Sequence, residues 1–181
     1  MLYYLVALFD KDSYALIKPL QESLSDEYKL YDHLPMLHIT LAVIEDPDMD
    51  KLNEIVKNTL KSYKKFDVHL NGVICFGDPY KSVNLKVDEE SGIIKNLSRT
   101  LYDNLTREGF KLTSCPDTWQ LHVSIANPYF AQRIWGEDEF ESACTKLDKD
   151  GFNKELLIDD IQFWRPINDE SKMVVFDYPL K

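Results

Sequence analysis

One six-residue phrase, used twice, limits what this chain can fold into more than any other feature. Leu37-His38-Ile39-Thr40-Leu41-Ala42 and Leu121-His122-Val123-Ser124-Ile125-Ala126 share a single pattern: leucine, histidine, β-branched residue, hydroxyl residue, apolar residue, alanine. The copies lie 84 positions apart, from 38 to 122, and hold two of the chain's four histidines. Each copy alternates with period two, so each is expected to be a strand with histidine and hydroxyl on one face and apolar residues on the other. One such strand is ordinarily just half-buried structure. A repeat kept only for packing would retain the Val, Ile and Thr types, but it has no reason to retain a titratable imidazole twice in the same register.

Two imidazoles and two hydroxyls suit the cleavage of a phosphate ester. A neutral imidazole takes a proton from an attacking water or sugar hydroxyl, and a protonated one gives a proton to the departing oxygen. The hydroxyls donate hydrogen bonds to the non-bridging oxygens as charge builds there. His38 and His122 are therefore the candidate acid/base pair, in an order left open, with Thr40 and Ser124 as phosphate-binding residues. No metal and no cofactor are called for. The remaining histidines, His33 in a loop and His69 in a strand, are expected to be solvated.

The rest of the chain fits a duplicated α+β arrangement. Leu2 to Phe9 is a β-rich apolar run, followed by a helix that Asp12 or Ser13 can cap and whose early turns contain Pro19. After the first motif strand, Pro47-Asp48 opens a second helix, and residues 68–76 and 83–87 form a hairpin around Gly77-Asp78-Pro79. A helix over residues 89–109 aligns Ile94, Leu97, Leu101 and Leu105 on one face. The second motif strand follows and ends at Asn127-Pro128. A helix over 136–150 and two final strands, near 156–164 and 172–178, complete the second cycle. At 181 residues the expectation is one domain, 1–181, made of two pseudo-symmetric lobes of roughly 1–88 and 89–181, with strand exchange between the lobes allowed for.

A net charge of −10 argues against a long nucleic acid as ligand, since broad polyanion binding requires a basic surface. A small nucleotide or short RNA remains compatible, because a local pocket can meet a few charges. Cys75, Cys115 and Cys144 are odd in number and far apart, so a disulfide framework or zinc site is not expected and a cytoplasmic location fits. The apolar start, Met1 to Phe9, is too short for a secretion signal, and no run is long enough to span a membrane. A monomer is expected. Trp119, Tyr129, Phe130, Trp135 and Trp164 are candidates for stacking on a base, Tyr129 first because Pro128 turns the chain out of the strand just past the motif, and Tyr80 at the hairpin tip is a further candidate for substrate contact.

The paired His-x-Thr/Ser motifs, half a chain apart in about 180 residues, resemble the 2H (two-histidine) phosphoesterase superfamily, which includes the LigT-like cyclic phosphodiesterases and 2′-5′ RNA ligase-like proteins. The resemblance implies a bilobal α+β fold in which two mostly antiparallel sheets line a central cleft, helices pack outside, and each lobe supplies one motif. LigT-type members usually carry Phe-Leu-Gly soon after the first motif and an arginine five residues after the second histidine. Val43-Ile44-Glu45 and Asn127 stand there in this chain, which leaves the branch open. The expected activity is metal-independent hydrolysis of 2′,3′-cyclic phosphates or 2′,5′-linked oligonucleotides; the alternative is a non-catalytic nucleotide- or RNA-end-binding module on the same fold.

Overall fold

The structure, a computed structural model, describes residues 1–88 and 90–181. Its elements run β1 (Leu2–Phe9), α1 (Lys11–Tyr28), β2 (Ile39–Glu45), α2 (Met49–Leu60), β3 (Phe66–Phe76), β4 (Ser82–Val87), α3 (Gly92–Arg107), β5 (Lys111–Leu112), β6 (His122–Ala126), α4 (Glu137–Lys149), β7 (Asn153–Trp164), α5 (Glu170–Met173) and β8 (Val174–Pro179). Every strand pair is antiparallel.

The long strand β7 is the seam of the molecule. Residues 153–158 pair with β3, whereas residues 158–164 pair with β1 and residues 160–164 with β8. Two wings result. One runs β5-β2-β1-β7-β8 and the other β6-β4-β3-β7, so the two expected sheets are continuous through one strand. Opposite the seam, the motif strands of the two wings pair in register at one position among the described residues, Ile39 with Val123. These are the residues that directly follow His38 and His122.

The helices cover the apolar faces. On α3, Ile94, Leu97, Leu101 and Leu105 recur at helical spacing and are completely buried, each contributing about 1.5–3 kcal/mol of apolar burial. The helix begins at Gly92; residue 89, where the sequence places its start, lies outside the described residues. α1 is capped by Asp10, earlier than expected, because its carboxylate accepts from the Ser13 amide at 2.9 Å. Pro19 lies on the exposed side of that helix and does not end it, while Ile17, Leu24 and Tyr28 stay buried on the other. In β3 the register shifts between Leu70 and Val73, where Gly72 takes φ +80°, a left-handed value that a side chain resists.

One expectation is overturned. Cys75 on β3 and Cys144 on α4 form a disulfide, leaving Cys115 free. The two cysteines are 69 residues apart, and only the packing of α4 against β3 brings them together, so their spacing carried no sign of the pairing. Among the described residues, no helix is long and apolar enough to cross a membrane.

Candidate active site

The Ile39–Val123 pairing decides where the two motifs go. Both residues are fully buried, so alternation turns their neighbours to the opposite face. In an antiparallel pair, stepping one residue either way sets His38 toward Ser124 and Thr40 toward His122. All four are half-buried, on one face, at the point where the wings meet.

Two adjoining cavities open there. One, about 690 Å³, is lined by His122 and by the aromatic rings of Phe76, Tyr80 and Trp119. The other, about 220 Å³, is lined by His38, Met36 and Trp164. Tyr4, Thr40, Ser124, Asn127 and Tyr129 line both, so the two hydroxyls stand at the junction with one imidazole on either side. Although the chain carries a charge of −10, no carboxylate among the described residues lines either cavity, and Arg165 is the only arginine or lysine of those residues that does. An anion entering the cleft meets no lining group of its own sign.

The two rings are held in the same way. His38 Nδ1 lies 2.7 Å from the Met36 carbonyl, and His122 Nδ1 lies 2.7 Å from the Gln120 carbonyl, in each case two residues upstream. A carbonyl oxygen only accepts, so each Nδ1 must carry the proton and donate it. That fixes the tautomer: Nε2 is a bare base on a neutral ring and an N–H acid on a charged one. Burial sets the proton affinity. It pushes His38 down to about 4, with a further small push from the charge of nearby His122 and partial opposition from the Met36 hydrogen bond. His122 is also lowered by burial, against the opposing bond to Gln120.

The hydroxyls differ. Ser124 donates to Asn84 Oδ1 at 2.9 Å. Asn84 is fully buried on β4, and its Nδ2 donates to the Ile74 and Ser82 carbonyls at 2.9 and 3.1 Å, which fixes its amide with the oxygen toward Ser124. Thr40 has no hydrogen-bond partner for its hydroxyl among the described residues.

A family model matches residues 9–170 of this sequence, that of the 2′-5′ RNA ligase superfamily. The chain belongs to that superfamily. Its members, the 2H phosphoesterases, are enzymes, and membership makes this protein a phosphoesterase. Solved structures share the fold at low identity. TT0787 of Thermus thermophilus aligns with a TM-score of 0.67 at 15% identity, over 99% of this chain and 98% of that one. LigT of E. coli in complex with 3′-AMP aligns at 0.60 and 12%, over 99% and 97%; its complex with ATP aligns at 0.59 and 11%, over 99% and 98%. No curated protein matches the sequence significantly.

Of the aromatic candidates, Tyr80, Trp119 and Tyr129 line the larger cavity, Phe130 and Trp164 line the smaller one, and Tyr129 lines both. Tyr129 is delivered by the turn expected at Pro128, which Tyr31 holds: its hydroxyl donates to the Asn127 carbonyl at 2.6 Å and accepts from the Asn127 amide at 2.8 Å. Burial pushes the Tyr31 phenol up to about 12, so it stays a donor. Trp135 is instead 1% exposed in the core, with its indole donating to the Lys81 carbonyl. His69 bonds Asn153 and lies beside Asp88, on a different strand pair from the cleft. Sequence reasoning missed Phe76, whose ring meets His122 edge-on at 5.1 Å, and Asn84; strand alternation places them on the cleft face but does not mark them among other strand residues.

Proposed function

We propose that this protein is a metal-independent phosphodiesterase that hydrolyses 2′,3′-cyclic phosphates or 2′,5′-linked oligonucleotides at the junction of its two cavities. The observation that carries this is the Ile39–Val123 pairing, which sets both imidazoles and both hydroxyls on one face around adjoining cavities. The 3′-AMP complex of the E. coli LigT relative supports a nucleotide phosphate as ligand.

His38 is the general base. Its ring is the more strongly held in the neutral form, and its Nε2 takes the proton of a water that attacks phosphorus. His122 is the general acid, and its Nε2–H goes to the sugar oxygen as the phosphorus–oxygen bond breaks. Thr40, free of any partner among the described residues, donates to a non-bridging oxygen; Ser124 does so after giving up Asn84. The nucleoside occupies the larger cavity, with its base against Trp119, Tyr80 or Tyr129. The chain acts as a monomer whose lobes are two copies of one unit. Each copy lends its hairpin to the other: β4 pairs with the motif strand β6, and β7 pairs with β1, the neighbour of the motif strand β2.

Incubation with a nucleoside 2′,3′-cyclic phosphate tests this. Release of a single nucleoside monophosphate isomer is expected. Tight binding of every cyclic and 2′,5′-linked ligand with no turnover would instead favour a binding module on the same fold.

A further inference from the structure

β7 carries a polar row that the reaction does not use. Asp160, Gln162 and Trp164 alternate along the strand and so share a face. From β8, Asp177 pairs with Gln162; from β1, Val6 and Leu8 stand beside Gln162 and Asp160. Gln162 Nε2 donates to Asp160 Oδ2 and to Asp177 Oδ1, both at 2.9 Å. With its NH₂ committed to two acids, the amide has one orientation, and its Oε1 accepts from Trp164 Nε1 at 2.7 Å. Trp164, 6% exposed, meets His38 edge-on with ring centroids 4.7 Å apart.

We infer that Asp160, Asp177 and Gln162 form a relay that clamps Trp164 over His38, which makes Gln162 a positioning residue for that histidine. The clamp rests on the role given to His38 above, but its geometry is independent of turnover. Two facing carboxylates repel, which disfavours charge on Asp160. Burial first, then Asp177, raises Asp160 to about 7, and its Oδ1 is buried with no partner among the described residues. A proton on Asp160 relieves that repulsion and lets both acids stay on one amide. The amide holds the indole, and the indole excludes water from His38, the same desolvation that keeps the ring neutral.

The test is the titration of the His38 ring by NMR in Gln162→Met and Trp164→Phe, the second of which keeps an aromatic cover but deletes the N–H. In both, the His38 midpoint should leave about 4 and move toward the ordinary 6.5. The double variant should move it no further than either single change, because both cut one chain of contacts. On a cyclic nucleotide, kcat should fall roughly tenfold while KM stays within about twofold, as expected for a displaced base. A merely structural row would lower the thermal midpoint and leave the His38 titration in place. Folded variants with unmoved His38 titrations overturn the relay, and Trp164→Phe decides alone if Gln162→Met does not fold. A wild-type protein that turns over nothing, yet shows the shifted titrations in these variants, retains the relay and loses the phosphodiesterase role.

Discussion

The two copies of the motif share a backbone and differ in what surrounds them. Around His38 the space is small, about 220 Å³, and Trp164 covers the ring; around His122 it is about 690 Å³ and open between Phe76 and Trp119. The hydroxyl of the first copy has no partner among the described residues, while that of the second is bonded to a buried asparagine. Identical Nδ1-to-carbonyl bonds fix the same tautomer in both rings. In the proposed mechanism, local burial and not the motif separates the base from the acid.

The largest expected effect bears on that separation. His38→Ala and His122→Ala should each lower kcat/KM on a cyclic nucleotide by about 10²–10⁴. A p-nitrophenyl phosphodiester, whose leaving group needs no proton, should recover most of the His122→Ala loss and little of the His38→Ala loss. Recovery in His38→Ala instead would reverse the two roles.

Next in size is the contrast between the hydroxyls. Thr40→Ala should cost roughly 10²-fold in kcat, whereas Ser124→Ala, whose proton is already committed to Asn84, should cost less than about tenfold. Equal losses would mean that Ser124 leaves Asn84 at no cost. Asn84→Ala leaves the Ile74 and Ser82 carbonyls without their side-chain donor in a buried site, and denaturant unfolding should show a loss of about 1–3 kcal/mol.

The smallest effect is a displaced pH optimum. The base must be neutral, so kcat/KM rises as pH climbs through the His38 midpoint of about 4. The acid must be protonated, so kcat/KM falls as pH climbs through the His122 midpoint, which burial sets below 6.5. The maximum is therefore expected between those values, on the acid side of an ordinary histidine pair. An optimum above about 7 would show that the rings are not desolvated in this way.

Much of this was legible in the order of residues. Period two gave the faces of both motif strands, helical spacing gave the buried side of α3, and Pro128 gave the turn that brings Tyr129 to the cleft. What stayed hidden depends on groups that a sequence does not mark. The carbonyls of Met36 and Gln120, which fix both tautomers, are backbone atoms that every residue has. Asn84 reads as one polar residue in a strand until β4 lies beside β6. Trp164 becomes a neighbour of His38 only when β7 lies on β1, the strand next to β2, and long-range packing of another kind joins Cys75 to Cys144.

The most direct measurement is a crystal structure of the protein with 3′-AMP bound. Its phosphate should lie at the junction of the cavities, with an oxygen within about 3.2 Å of each Nε2 and another at the Thr40 hydroxyl, and with the adenosine in the larger cavity. A phosphate bound away from the junction, or one met by only one of the two imidazoles, would contradict the paired role of His38 and His122.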